Sequence, residues 1–437
     1  MTKSKIINVI AFLIVFQWSF TVLVAQPTQL QIDLERIPEI VSVQKIEQNP
    51  FFQEAYEIFI EQNLDHKNPS AGKFKQRVIF SSYNKFSPVV YVTEGYNADY
   101  ALKSSYVEEL SKIVEANQLV VEHRYFGKSM PQELNYDYLT IENACADLHR
   151  VKAIFQRLFN NKNKWIATGI SKGGQNCMAY KAFYPNDMNV WIPYVAPLNF
   201  AIEDGRHEKF LKTVGTSKSR NSILNFQKTV LAKRSEIMPL LDSVISARKY
   251  TFRIKPDEVL DFCVLEYQFA FWQWGENPKS IPSDTATTRE IFNHLIKVCD
   301  PEYFANEGIA PIRSFFVQAA KEFGYYGYDP GELLTLMKIK SAKNYMEKIF
   351  LPENYTYSFN AGTSKFIQKA IQKGGDHTIF IYGEYDPWTA SAIKLKPNSK
   401  AKKVIKPKGS HRTRINNMGY EQQAVIYKAL DLWLSEN

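Results

Sequence analysis

Polar and apolar residues alternate over residues 55–62, with Tyr56, Ile58 and Ile60 on one side, and again over 74–81. The turn cluster Asn68-Pro69-Ser70-Ala71-Gly72 separates the two runs. This pattern predicts a β-hairpin at a sheet edge. Residues 26–52, ahead of it, form a polar lead-in without strong periodicity. Residues 88–93 and 119–122 are short apolar runs of the kind found in buried strands, the second nearly continuous as a parallel strand should be. Between them, 104–117 has the spacing of an amphipathic helix. Residues 141–159 repeat apolar positions at helical spacing and lead into the apolar run 165–167. A helix over 175–184 and a strand over 190–195 follow. Strands alternating with helices predict an α/β fold built on a parallel sheet with crossovers.

From Glu203 to about Gly375 the period changes. Helical spacing covers 223–241, 257–274, 288–298, 312–323 and 333–349, and strand signals nearly vanish. A strand signal returns at His377–Tyr382, a short one follows at 403–405, and a helix over 420–435 closes the chain. In that helix Ile426, Ala429, Leu430 and Trp433 form one apolar stripe. The expected organisation is a first core part over 26–202, an inserted helical cap over 203–375 and a second core part over 376–437.

The chemistry centres on Gly169-Ile170-Ser171-Lys172-Gly173, a G-x-S-x-G string between a predicted strand and a predicted helix. That context distinguishes a nucleophile elbow from a glycine–serine turn that only caps a helix. An elbow needs an acid and a histidine later in the chain, in that order. Asp386 lies just past the 377–382 strand, in Gly383-Glu384-Tyr385-Asp386-Pro387-Trp388. Its competing role is a helix N-cap, with Pro387 in the first helical position. Among the later histidines, His294 falls within a helical pattern and His377 in a strand signal. His411 falls in a loop between the last strand and the last helix. The reading is therefore a Ser171–Asp386–His411 triad. The backbone N–H groups of Lys172 and Tyr96 are the expected oxyanion donors, Tyr96 because Glu94-Gly95-Tyr96 follows the strand that supplies the second donor in this fold. Gly95 is expected to let the backbone approach the substrate closely; the Lys172 side chain reads as a salt-bridge partner at the core surface, with a charge near the site as the other reading.

The chain has 437 residues, 45% hydrophobic and 14% aromatic, and carries a formal charge of +9. Its lysines are scattered and no nucleic-acid motif accompanies them, which argues against a nucleic-acid partner and for a basic surface suited to anionic envelopes or acidic substrates. Lys3 and Lys5 precede an apolar stretch from Ile6 to Val24 and then Ala25-Gln26-Pro27. This reads as a secretory signal peptide spanning 1–25, cleaved after Ala25, with an uncleaved membrane anchor as the other reading. A mature enzyme free of the membrane, secreted or periplasmic, is expected. Export permits disulfides: Cys263 and Cys299 are candidates to pair, while Cys145 and Cys177 read as buried thiols. No Cys/His cluster suggests a metal, and no cofactor is expected.

Six strings occur together in order. They are Phe74-Lys75-Gln76-Arg77-Val78, Thr93-Glu94-Gly95-Tyr96, Val121-Glu122-His123-Arg124-Tyr125-Phe126-Gly127-Lys128-Ser129, Gly169-Ile170-Ser171-Lys172-Gly173-Gly174, Phe271-Trp272-Gln273-Trp274-Gly275 and Asp386-Pro387-Trp388-Thr389-Ala390. With them the chain resembles the secreted bacterial tripeptidyl aminopeptidase family of serine peptidases, of the prolyl tri/tetrapeptidyl aminopeptidase kind. It is more distantly similar to prolyl carboxypeptidase and dipeptidyl peptidase II. The resemblance covers nearly the whole mature chain. It implies an α/β-hydrolase core with a helical cap, cleaving short peptides from free N-termini, often after proline, with Ser171 as nucleophile, Asp386 as orienting acid and His411 as base.

Substrate selection is expected from the cap. Aromatic residues crowd 267–274 and 323–328, and Trp272 and Trp274 are candidates for the wall of a proline pocket. An exopeptidase also needs a carboxylate for the substrate amine, and Glu94, Glu203, Asp204, Glu266 and Glu276 are the candidates. Arg124 reads as a buried structural ion-pair partner. Two other functional classes stay open at this point: an esterase or lipase on the same core, and an inactive binding protein of the same fold. The intact serine, acid and histidine weigh against the second.

Overall fold

A computed structural model describes residues 26–159 and 163–436. The proposed signal peptide and its cleavage site lie outside the described residues. Among the described residues nine strands form one sheet: β1 (Ile40–Ile46), β2 (Glu54–Asn63), β3 (Lys73–Ser82), β4 (Val89–Thr93), β5 (Asn117–Val121), β6 (Trp165–Ile170), β7 (Val190–Tyr194), β8 (Ile379–Gly383) and β9 (Lys402–Lys406). Their order is β1-β2-β3-β5-β4-β6-β7-β8-β9. The first three run antiparallel to their neighbours, and β3 is also antiparallel to β5. From β5 to β9 every pairing is parallel. The parallel strands β4 to β8 are buried along their length, save Ile170 at the end of β6, which explains their near-continuous apolar runs.

This order is that of an α/β-hydrolase, and it locates the site. From β4 the chain moves outward to β5, then returns to the other side of β4 as β6. Such a reversal opens a crevice at the carboxyl ends of the two central strands. The helices Ile141–Leu158, Lys172–Phe183 and Ala361–Gly374 contribute to the core on one face of the sheet, and Tyr420–Ser435 to the core on the other. Between β7 and β8, among the described residues, the chain forms only helices, short helical turns and loops. Their apolar cluster includes Tyr125 and Phe126, which follow β5, and Trp388, which follows β8. The helical block is thereby fastened over the carboxyl ends of the strands.

Several local expectations fail. The lead-in 26–52 contains a helix, Gln29–Glu35, and the strand β1. As an edge strand β1 buries none of its residues fully, so no apolar pattern marks it. It also takes the edge position expected for the hairpin. The helix expected over 104–117 forms only as Glu109–Ile113. Asn117 instead opens β5, and its side chain binds the loop backbone at Tyr83, Asn84, Ser87 and Pro88. The 223–241 helix is two helices, Ser217–Ala232 and Arg234–Arg248, meeting at Lys233. Over 333–349 there is a 3₁₀ stretch, Gly331–Leu336, and a π turn, Met346–Phe350. Between them the buried Asp261 carboxylate captures the N–H groups of Lys338 and Ile339 at 2.6 and 2.9 Å, which competes with helix formation.

Arg124 is a structural partner, as expected. Its guanidinium grips Asp147 with two bonds, Nε at 2.6 Å and Nη2 at 2.8 Å, and donates to the carbonyls of Asn63, Leu64 and Tyr138. Both side chains are buried. Removing the guanidinium leaves the buried Asp147 with only His66, at 2.7 Å, as a side-chain partner among the described residues. Arg124→Met should therefore lower stability by about 3–5 kcal/mol, read as a drop in the urea midpoint. All four cysteines are free and buried. Burial holds the Cys299 thiol well above its ordinary pKa, and the nearby Cys263 thiol pushes it the same way.

Candidate active site

The elbow forms where the sequence places it. β6 ends at Ile170, and a helix begins at Lys172. Ser171 between them has φ 57° and ψ −119°, a conformation that costs energy for any residue with a side chain. Its N–H is anchored on the Tyr194 carbonyl of β7 at 2.9 Å. The glycines are steric requirements. A Cβ on Gly169 would lie 2.3 Å from the Gly173 carbonyl oxygen, and one on Gly173 would lie 2.6 Å from that of Thr93. Thr93, the last residue of β4, also ties its hydroxyl to the carbonyls of Thr168 and Gly173 at 3.0 and 2.9 Å.

β8 ends at Gly383, and Asp386 follows in the turn. Its two oxygens divide the roles weighed for it. Oδ1 accepts from the Trp388 N–H at 3.1 Å, as an N-cap does, and Oδ2 meets His411 Nδ1 at 2.7 Å. Both side chains are buried. The backbone N–H of His411 donates to the Gln273 carbonyl at 2.9 Å, so the helix Pro256–Trp274 steadies the imidazole loop. Among the described residues no hydrogen bond joins Ser171 to His411. Catalytic contacts of this kind are commonly long in unliganded enzymes and tighten with substrate.

The backbone N–H groups of Lys172 and Tyr96 have no hydrogen-bond acceptor among the described residues, whereas the neighbouring N–H groups of Ser171 and Gly95 do. The Tyr96 N–H passes near the Glu94 carboxylate and helps to hold its pKa down, but too loosely to count as a bond. Gly95 approaches the elbow rather than open space: a Cβ there would lie 2.7 Å from the Gly173 nitrogen. The salt bridge expected for Lys172 is absent among the described residues. The side chain is only 1% exposed and donates to the Gly95 carbonyl at 2.7 Å.

The substrate candidates separate. Glu266 is 6% exposed and lines a cavity of about 590 Å³ with Ala270, Gln273, Trp274, Tyr325 and Arg412. Its Oε2 accepts from the hydroxyls of Tyr326 and Tyr328 at 2.8 and 2.7 Å, while Oε1 accepts nothing among the described residues. Burial pushes its pKa up to about 7, against the two tyrosine bonds that lower it. Trp274 is 42% exposed on the same cavity, its ring edge-on to His411 at 6.1 Å. Trp272 is core instead, edge-on to Tyr385 and packed against Gly215. Glu94 lines a different cavity, of about 370 Å³, with Gly169, Ile170 and Arg414. Desolvation raises its pKa, opposed by bonds from Tyr100 and Gly95. Glu203 accepts from the Asn344 N–H, Asp204 pairs with Arg206, and Glu276 pairs with Lys297 at the rim of the Glu266 cavity. Trp388 was not anticipated as a site residue. It stands between His411, at 6.4 Å, and Tyr325 and Tyr326, at 5.2 and 5.3 Å. Its place directly after Asp386-Pro387 was the available signal. Among the described residues no cluster of His, Cys, Asp and Glu is suited to a metal, and no helix is long and apolar enough to cross a membrane.

A strained serine between strand and helix, with a buried Asp–His pair drawn from the loops after β8 and β9, is the arrangement of the α/β-hydrolase class. The chain belongs to the PS-10 peptidase S37 family, whose model matches residues 25–433, and it is a serine peptidase. It is 27% identical over 416 residues to the prolyl tri/tetrapeptidyl aminopeptidase of Streptomyces mobaraensis, covering 93% of this chain and 86% of that one. It is also 27% identical over 158 residues to the probable serine protease EDA2 of Arabidopsis thaliana, 32% of each chain. Among solved structures, the proline iminopeptidase of Mycobacterium smegmatis aligns with a TM-score of 0.40 at 10% identity, over 90% of this chain and 99% of that one.

Proposed function

We propose that this protein is an exported serine exopeptidase that releases di- or tripeptides from free N-termini, with preference for proline at the cleavage site. Ser171 Oγ attacks the scissile carbonyl as His411 Nε2 takes its proton. Asp386 holds Nδ1–H and so fixes the tautomer. The N–H groups of Lys172 and Tyr96 receive the oxyanion. His411 then returns the proton to the departing amine, and water repeats the sequence on the acyl-enzyme. Residues 203–375 act as the selecting cap.

The observation that carries the exopeptidase reading is Glu266. A buried carboxyl with one oxygen unclaimed, walled by Trp274, Tyr325 and Tyr326, is matched to an ammonium group. The same flat rings suit a proline. The similarity to a prolyl tri/tetrapeptidyl aminopeptidase supports this choice over an ester substrate. The test compares an Ala-Ala-Pro chromogenic peptide with a free N-terminus, its N-acetylated twin and a p-nitrophenyl ester. Turnover of the free peptide at least 100-fold above its blocked twin is expected. Equal turnover of the two, or turnover of the ester alone, would refute the proposal.

A further inference from the structure

An elbow needs the backbone N–H of the residue after its serine, and nothing in that need specifies a lysine. Here the Lys172 side chain is a buried amine without a carboxylate at ion-pair distance among the described residues. Desolvation holds its pKa well below that of an ordinary lysine, and Glu94 is the charge that opposes this. A cation in such a place is costly unless its interactions are specific. Three of its contacts are with ring faces: Phe126 at 4.9 Å, Tyr96 at 5.6 Å and Phe323 at 5.7 Å. The fourth is the bond from Nζ to the Gly95 carbonyl at 2.7 Å. The Lys172 stem and Gly95 are also in close apposition: a Cβ at Gly95 would lie 2.8 Å from Lys172 Cβ and 2.9 Å from its Cγ.

The accepting carbonyl belongs to the Gly95–Tyr96 peptide, and the N–H of that same peptide is the second oxyanion donor in our reading. A donor on a peptide oxygen draws electron density from its nitrogen and makes its N–H a stronger donor, because bonds in a chain polarise one another. In a dry site this matters more than it would in water.

We propose that the Lys172 side chain is the positioning residue of the oxyanion hole, holding the Glu94-Gly95-Tyr96 turn against the elbow and polarising the Gly95–Tyr96 peptide toward the developing oxyanion. One residue then serves both donors. Its backbone N–H acts directly, and its Nζ–H acts through Tyr96. The inference rests on the serine mechanism proposed above. The ground-state carbonyl is neutral and the tetrahedral intermediate is not, so the contribution falls on kcat rather than KM.

Lys172→Met keeps the apolar stem and removes the charge and the donor. Lys172→Gln keeps a neutral donor. In the full chain, with folding checked by circular dichroism and thermal melting, Lys172→Met should lower kcat by about 10²–10³-fold, the scale of losing one oxyanion donor. The loss should appear with both the peptide and the ester, with KM within about three-fold of wild type. Affinity for a peptide boronic acid, which forms a tetrahedral adduct on the serine, should fall in parallel with kcat/KM. Lys172→Gln should lie between Lys172→Met and wild type, and it decides the matter if Lys172→Met does not fold. A kcat within two-fold of wild type in a folded variant, or a loss confined to KM, overturns the proposal. Ser171→Ala is measured alongside. If it is inactive while Lys172→Met behaves as wild type, only the role of Lys172 falls. If Ser171→Ala keeps its activity, the serine mechanism falls.

Discussion

Ser171→Ala should lower kcat/KM on a free-N-terminus Ala-Ala-Pro substrate by about 10⁴–10⁶-fold, with the melting temperature unchanged or raised. The magnitude follows from the triad acting as one unit. Without the nucleophile, His411 and Asp386 have no proton to move, and only the oxyanion donors and substrate binding remain. Stability should not suffer, because the hydroxyl of Ser171 makes no hydrogen bond among the described residues, and the strain of φ 57° lies in the backbone. His411→Ala should produce a loss of the same order, and the double variant should be no worse than either single one. Multiplying losses would mean that the two residues act in separate steps.

Glu266→Gln should produce the second large effect, and it should depend on the substrate. Gln is nearly isosteric, so its amide oxygen can keep the Tyr326 and Tyr328 bonds while the charge is lost. A buried ion pair that loses one partner costs about 2–5 kcal/mol, so kcat/KM on the free peptide should fall by about 10²–10³-fold. An N-acetylated peptide or a small ester should be affected less than three-fold. The pH dependence carries the sign. With a pKa of about 7, Glu266 is protonated below neutrality and presents no charge to an ammonium. The ratio of wild-type to Glu266→Gln kcat/KM should therefore rise with pH through about 7. It should fall again as the substrate amine deprotonates near pH 8. Glu276, Lys297 and Arg412 share the cavity and are common to both enzymes, so the ratio isolates Glu266. A ratio that stays flat from pH 5 to 9 would remove Glu266 from substrate binding.

The legible parts of this molecule were those where local sterics or chain order dictate the residue. Gly169 and Gly173 announce the elbow because no side chain fits beside Thr93 and the first helical turn. Asp386 and His411 could be chosen because each directly follows a strand at the same edge of a parallel sheet. The helical block was legible from its change of period alone.

What stayed hidden depends on contacts distant in sequence. Glu266 was one acid among five. It stands out only because Tyr326 and Tyr328, some sixty residues on, return to bind it. The Lys172 side chain was misplaced for a related reason. A lysine after a serine reads as surface, and only the fold brings Tyr96, Phe126 and Phe323 around it. The failed helix over 333–349 shows the same limit. Its apolar spacing is helical, and Leu333, Met337, Tyr345 and Ile349 are indeed buried. Yet the backbone between them is held by Asp261, a carboxylate in another helix.

Covalent trapping reaches the centre of the account. The full-length protein is treated with a fluorophosphonate, digested and mapped by mass spectrometry, with and without excess free-N-terminus tripeptide. One adduct per chain is expected, on the peptide containing Ser171, its formation slowed by the tripeptide and abolished in His411→Ala. An enzyme that hydrolyses the peptide while its adduct sits on another serine, or while Ser171 stays unmodified, would contradict the account.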